Sequence, residues 1–317
     1  MEANHKAARR IFAVGETLLD VIFKDGRPVS ATPGGSALNT AVSLGRMGLN
    51  VHFISEYGTD RVGNLVEAFL KQNGIQTGCI RRYSGYPSAL ALAFLDEHNN
   101  AEYQFYKNYP PDRLNIAFPE LTRDDIVLFG SFYGIDPALR KRLLPFLEHA
   151  RRQDALILYD PNIRASYMPE MNVYRPVITE NFRMADVVKG SAEDFAHLFS
   201  ANGSTEAWQH IRNLCDVLVY TAGGDHVALH LPGVHETCPV PALQPVSTVG
   251  AGDTFNAGLI CGLVAHGICK KTLKTMTAAQ RADIINVAIR FARQACMSYD
   301  NYVPLHFADP TDGRHAK

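Results

Sequence analysis

The chain has 317 residues, with 31 Lys+Arg against 32 Asp+Glu for a formal net charge of -1, 46% hydrophobic residues and 20% charged ones. These proportions belong to a globular chain and exclude extended disorder and collagen-like repeats. Balanced charge gives no electrostatic reason for a nucleic-acid or anionic-membrane surface, so a small molecule is the expected ligand.

The opening MEANHKAARR is followed only by the short apolar run 11–14 before Gly15-Glu16, too brief and polar for a signal peptide. The longest apolar stretch, residues 257–265, is far short of the ~20 residues that cross a bilayer. A cytoplasmic chain without a membrane partner is expected. Its six scattered cysteines, with no C-x-x-C pair, then read as reduced thiols.

Strand-like apolar runs at residues 11–14, 51–55, 126–129, 156–159, 187–188 and 217–220 alternate with segments of helical period at 36–47, 61–72, 137–153, 193–199 and 205–214. That alternation predicts an α/β fold, a doubly wound, mostly parallel sheet. Two stretches break the rhythm. Residues 17–31 predict a hairpin, with 18–23 and 28–31 on either side of the Asp25-Gly26 turn signal. Residues 88–107 predict a second insert, strands 88–95 and 102–106 around a polar loop. These four strands can pair into a small sheet beside the main one and cover a ligand cleft. The last third predicts a meander (216–220, 227–231, 234–239), a Gly-rich turn, and helices at 253–266 and 278–299.

The sharpest local pattern is Ser247-Thr248-Val249-Gly250-Ala251-Gly252-Asp253 leading into a helix. Small residues let the backbone approach an anion, and the first helical N–H groups have no partner within the helix, so together they form a cradle. Asp253, aimed at whatever the cradle holds, suits a base that takes a proton from an attacking hydroxyl. The same residues also read as a tight turn and a helix cap. No G-x-x-x-x-G-K-[ST] occurs, and Gly250-x-Gly252 lacks the third glycine and the following βαβ unit of a dinucleotide fingerprint.

Pro33-Gly34-Gly35-Ser36-Ala37-Leu38-Asn39 is a second strand-to-helix loop. Its glycines open the backbone to a polyhydroxyl ligand, and Asn39 offers both a donor and an acceptor. Glu16 and Asp20, just upstream, can hold a neutral polyol by charge-assisted hydrogen bonds. Asp160-Pro161-Asn162-Ile163-Arg164 follows a strand, where open sheets place ligands. Lys189 with Glu193 and Asp194 can arrange water and a metal near phosphates, or form a helix start rich in carboxylates. Thr221-Ala222-Gly223-Gly224 can lie against a nucleotide or turn a hairpin. His226, His230 and His235 read as residues of a solvated strand rather than as a chelate.

Taken together, these residues resemble the ribokinase family of sugar kinases, the pfkB group, over nearly the whole chain. The N-terminal signature is similar to Gly34-Gly35-Ser36-Ala37-Leu38-Asn39 continuing to Gly58-x-Asp60-x-x-Gly63, and the C-terminal one to Thr248-Val249-Gly250-Ala251-Gly252-Asp253. The resemblance implies a single Rossmann-like domain over residues 1–317, with a discontinuous β lid from about 16–33 and 84–113. It implies Asp253 as catalytic base and the N–H groups of Gly250, Ala251 and Gly252 as stabilisers of the transferring phosphoryl group. Asp20, Gly34, Gly35 and Asn39 would hold the sugar, with Lys107 and Arg164 on its far side. Lys189, Glu193, Asp194, Thr221 and Gly223 would meet the nucleotide. Mg-ATP is the implied donor, the magnesium held through water near Glu193 or Asp194, and a monovalent cation is a further implied cofactor.

Within the family the likeness is to fructokinases: Gly15-Glu16 with Asp20, Phe105-Tyr106-Lys107 leading to Asp112, and the D-P-N-x-R run 160–164. The expected reaction is transfer of the γ-phosphate of Mg-ATP to a primary hydroxyl of fructose. The alternatives are 2-keto-3-deoxygluconate, another sugar or a nucleoside as acceptor, or a sugar- or nucleotide-binding regulator without turnover. Ser247 stands where the pattern often has aspartate, and Ser191-Ala192-Glu193-Asp194 stands for N-x-x-E. Thr221 to His226 lacks the last glycine of T-x-G-x-x-G. Lid strands with open edges further suggest a homodimer formed through the lids.

Overall fold

The structure, a computed structural model, describes residues 9–97, 101–163 and 171–307. In chain order its strands are β1 (Arg10–Val14), β2 (Leu18–Lys24), β3 (Arg27–Gly34), β4 (Asn50–Gly58), β5 (Ile80–Tyr83), β6 (Leu90–Leu95), β7 (Ala101–Tyr106), β8 (Ile126–Gly130), β9 (Leu156–Asp160), β10 (Val187–Ser191), β11 (Val217–Ala222), β12 (His226–Leu231) and β13 (Val234–Pro239). Its α-helices are α1 (Ser36–Arg46), α2 (Arg61–Gln72), α3 (Pro137–Arg152), α4 (Met171–Met184), α5 (Ala192–Phe199), α6 (Ser204–Ile211), α7 (Ala251–Ala265) and α8 (Ala278–Ala295).

Nine strands form one sheet in the order β13-β12-β11-β10-β9-β8-β1-β4-β5. Pairing is parallel from β11 through to β5 and antiparallel in the meander β11 to β13. The parallel strands are covered on both faces, so successive residues feed two different cores. Ile11 and Ala13 join Leu38, Leu259 and Phe291 under α1, α7 and α8. Phe12 and Val14 join Leu143, Phe182 and Leu198 under α3, α4 and α5. Helices α7 and α8 approach closely because Gly258 and Gly262 leave room: a Cβ on Gly258 would lie 2.6 Å from Ala288 Cα, and one on Gly262 2.9 Å from Ile284 Cα.

A second sheet, in the order β3-β2-β6-β7, is built from the two inserts. The β2–β3 hairpin turns through Asp25 (φ 51) and Gly26 (φ 71), the left-handed pair that a two-residue hairpin needs. The inserts are joined by parallel pairing of β2 with β6, from Leu19 opposite Leu90 to Lys24 opposite Leu95, and β7 returns antiparallel along β6. This register puts Asp20, Ala91 and Phe105 on one face and Leu90, Phe94 and Tyr106 on the other.

Differences from the sequence expectation are local. Strand β10 runs on to Ser191 because Lys189 and Gly190, which end the apolar run, are themselves buried in the sheet. The short, arginine-bearing edge strand β5 carries too weak an apolar pattern to be read, and α4 is obscured by its internal Pro176. Helix α8 stops at Ala295 instead of 299: the Ser298 hydroxyl accepts from the Asp300 N–H, a local bond that competes with the helix. All six cysteines are free. Among the described residues no helix is long and apolar enough to cross a membrane.

Candidate active site

The carboxyl ends of β1, β8, β9 and β10, one face of the small sheet and the start of α7 enclose a cleft of about 620 Å³. It lies where the chain leaves β1 towards β4 on one side and β8 on the other, the switch point at which open sheets bind ligands.

Helix α7 starts at the cleft without a capping side chain. Its N-cap, Gly250, has φ 78, and a Cβ there would lie 2.6 Å from the Asn301 carbonyl oxygen, so conformation and space both require glycine. Gly250 and Gly252 line the cleft with Ala251 between them; the Ala251 N–H makes a long bond of 3.3 Å to the Thr248 carbonyl, and no capping side chain accepts from the first turn. A Cβ on Gly252 would sit 3.1 Å from Lys189 Nζ, which places that ammonium beside the helix start. Lys189 Nζ donates to Asp160 Oδ2 at 3.0 Å, and Asn256 Nδ2 donates to the same oxygen at 2.7 Å. Burial works against the Lys189 charge, but Asp160 and Asp194 outweigh it and hold its pKa above the ordinary lysine value.

Asp253, in the first turn of α7, is buried and gripped from α1. Ser36 Oγ donates to its Oδ1 at 2.7 Å and Asn39 Nδ2 to its Oδ2 at 2.9 Å, while Thr40 Oγ1 donates to its carbonyl at 2.8 Å. Burial lifts the Asp253 pKa above the ordinary aspartate value, against the pull of Asn39 and Ser36.

Asp20 reaches the cleft from β2. No donor among the described residues bonds its carboxylate, and burial pushes its pKa up to about 7. Gly34, across the β2–β3 pair, makes room for it: a Cβ there would lie 2.0 Å from Asp20 Oδ2. Gly35 (φ 129) and Asn39 line the cleft, whereas Gly34 acts through that clearance. Lys107 is not on the cleft wall; it pairs with Glu16 Oε2 at 2.7 Å, and Tyr109 Oη donates to Glu16 Oε1 at 3.0 Å. Arg164 lies outside the described residues.

At the other end, Thr221 near the end of β11 and Gly223 in the β11–β12 turn both line the cleft, so the two readings of that segment coincide. Asp194 closes a capping box with Ser191 and also accepts from the Ile163 N–H at 2.6 Å. Glu193 lines the same end with its side chain 71% exposed; its Oε1 lies 3.6 Å from His197 Nε2, which leaves Oε2 open.

Ser36 and Asp160 lie in runs that the sequence singles out without a role of their own, Asn256 lies outside them, and all three organise the site. Asn256 follows Asp253 by three residues, and that same-face helical spacing was the available signal. Tyr109 had none. His230, expected on a solvated strand, is buried beside Trp208 with its Nδ1 2.8 Å from His235 Nδ1; burial and His235 push its pKa down to about 4. Among the described residues no group of three or more His, Cys, Asp or Glu could hold a metal ion.

A doubly wound sheet, a small sheet over its switch point and an uncapped helix start beside a buried carboxylate define a phosphotransferase with an alcohol group as acceptor. Residues 8–292 match the pfkB family of carbohydrate kinases, and the chain belongs to that family. It is 27% identical over 269 residues to Fructokinase-1 of Zea mays, across 80% of this chain and 83% of that protein. The aminoimidazole riboside kinase of Salmonella enterica superposes with a TM-score of 0.80 at 22% identity, covering 93% of this chain and 96% of that one. A fructokinase from Vibrio cholerae O395, solved with fructose, ADP and calcium, gives 0.80 at 19% identity, covering 94% and 96%. The fold is ribokinase-like.

Proposed function

We propose that this sugar kinase transfers the γ-phosphate of Mg-ATP to a primary hydroxyl of fructose. The observation that carries the acceptor class is the half-buried Asp20 carboxylate on the cleft wall, which has no donor among the described residues. Such a group is satisfied by the hydroxyls of a neutral polyol. A sugar acid would instead bring its own carboxylate towards Asp20 and Glu16, with Lys107 already paired to Glu16. Fructose itself is supported by the fructokinase relatives.

Asp253 would take the proton of the attacking hydroxyl, its oxygens aimed by Ser36 and Asn39. The N–H groups of Gly250, Ala251 and Gly252 would meet the oxygens of the transferring group, and Lys189 would add positive charge beside them. Thr221 and Gly223 would lie along the nucleotide. The cradle fits phosphates because glycine stands at both positions where a Cβ would crowd Asn301 or Lys189. The open carboxylate of Glu193 would hold the water shell of a magnesium ion, which supplies phosphate charge neutralisation when bound.

Strands β2, β3, β6 and β7 would serve as the lid of a single domain, spanning about residues 16–33 and 84–113 and excluding water from the transfer. The exposed Phe94 and Tyr106 on its outer face, next to open strand edges, would seat a second lid in a homodimer. Light scattering at assay concentration checks this, and a monomer mass removes it.

The deciding assay is ADP release from Mg-ATP across fructose, glucose, ribose, 2-keto-3-deoxygluconate and a nucleoside. Turnover led by fructose supports the reading. Preference for the sugar acid or the nucleoside replaces the substrate. Nucleotide binding without turnover on any acceptor points to a regulatory protein.

A further inference from the structure

Arg46 stands at the end of α1 remote from Ser36 and Asn39, and it does not line the cleft. Its Nε donates to Asn73 Oδ1 at 2.7 Å, and a terminal nitrogen donates to the Val303 carbonyl at 2.7 Å. The guanidinium also lies 4.4 Å from the centre of the Tyr302 ring. One turn earlier, Ser43 Oγ accepts from the Val303 N–H at 3.4 Å. Tyr302 and Val303 are buried at 5% and 0% exposure, and Tyr302 packs on Phe69.

These residues belong to the irregular segment after α8. A segment outside any helix or strand is held by burial and by such side-chain fastenings. Just before the fastened pair, Asn301 sets its backbone against Gly250, with its Cα 2.7 Å and its carbonyl oxygen 2.6 Å from where a Cβ would be. The contact thus runs from Arg46 through Tyr302 and Val303 to Asn301, and ends on the left-handed residue that opens the start of α7.

We infer that Arg46 is a positioning residue for phosphoryl transfer: by fixing Tyr302 and Val303 it holds the Asn301 backbone against Gly250 and so sets the α7 N–H cradle. Helix α1 then governs both halves of the transfer centre, the base through Ser36 and Asn39 and the cradle through Arg46. This role rests on the α7 start being the transfer centre, which Asp253→Asn tests on its own.

The experiment compares Arg46→Ala, Arg46→Lys, Tyr302→Ala and the double alanine variant with wild type, by steady-state kinetics well below the melting temperature and by thermal unfolding. Arg46→Ala should lower kcat about tenfold, the scale expected when reacting groups are slightly misplaced, with the sugar KM within about twofold. Arg46→Lys, which keeps the charge and one donor, should recover part of the loss. Tyr302→Ala should match Arg46→Ala, and the double variant should be no worse than either, because both act on one contact path. If Arg46→Ala does not fold, Arg46→Lys and Tyr302→Ala decide by the same kcat-against-KM split. A normal kcat in folded variants, a loss confined to the sugar KM, or fully additive losses would overturn the inference.

Discussion

Asp253 and Asp20 face one cleft from different regions of the molecule, and the fold treats their carboxylates in opposite ways. Asp253 sits on a core helix and its carboxylate accepts two hydrogen bonds from α1, while Asp20 sits half-buried on the small sheet with no donor among the described residues. A proton acceptor must be aimed before the reaction, and rigid neighbours do that. A binding carboxylate gains most if its partners arrive with the ligand, since the unsatisfied group is then satisfied only in the complex. On the proposed reading, the helices packed on the main sheet are preorganised for chemistry, and the small sheet is left unfinished for recognition.

The largest break in this contrast should come from Asp253→Asn. We expect kcat to fall by on the order of 10²–10⁴, with the fold and sugar binding retained; near-normal turnover would remove Asp253 from its role. Gly250→Ala should cost about 10²-fold in kcat, and about 1–3 kcal/mol of stability, because it adds a Cβ in left-handed backbone against Asn301. Normal kinetics and melting would show that the turn tolerates a side chain.

On the sugar side, Asp20→Asn should raise the sugar KM about 10-fold to 10²-fold with a smaller change in kcat. The pH dependence sharpens the contrast. With its folded pKa raised from 3.8 to about 7, Asp20 contributes stability that is full below its unfolded pKa and is lost as pH rises through about 7. Asp20→Asn should therefore melt higher than wild type at pH 8 and gain little at pH 4. The sugar KM of wild type should fall as pH rises through 7, while that of the variant stays flat across the same range. A flat wild-type profile, with sugar binding intact, would assign recognition to another group.

The smallest effects should separate two adjacent carboxylates. Glu193→Gln should raise the KM for Mg-ATP several-fold without changing stability. Asp194→Asn should lower the melting temperature, since it breaks a capping box, typically worth ~1 kcal/mol. The reverse pattern would move the metal-water role to Asp194.

Much of this architecture was legible in the chain because buried parallel strands leave continuous apolar runs and helices leave their period. The runs at 126–129 and 156–159 grew by one residue each in the structure, and the Asp25-Gly26 turn marked its hairpin directly. Motif residues at the cleft were legible for the same local reason, as glycines before helices. What stayed hidden depends on contacts between distant segments. That Asn39 and Ser36 grip Asp253 and that Tyr109 braces Glu16 are facts of packing with no trace in local spacing, and the spacing of Asn256 from Asp253 marks a shared helix face without naming Asp160 as its partner. Lys189 misled in a different way: a charged residue ended the apolar run at 188, yet Asp160 lets it continue the strand inside.

The two hydrogen bonds that hold Asp253 span 217 and 214 positions of sequence. During synthesis the chain would have built α1, the small sheet and much of the main sheet long before Asp253 emerged. Contacts of that separation close late and slow folding, and partly made chains expose the surfaces that will receive them. Until α7 arrives, the nascent enzyme carries the Ser36 and Asn39 donors without the carboxylate they orient. Activity should then appear as a single late event rather than accumulate with chain length, and a fragment that ends before residue 251 could be restored only by supplying the missing helix in trans.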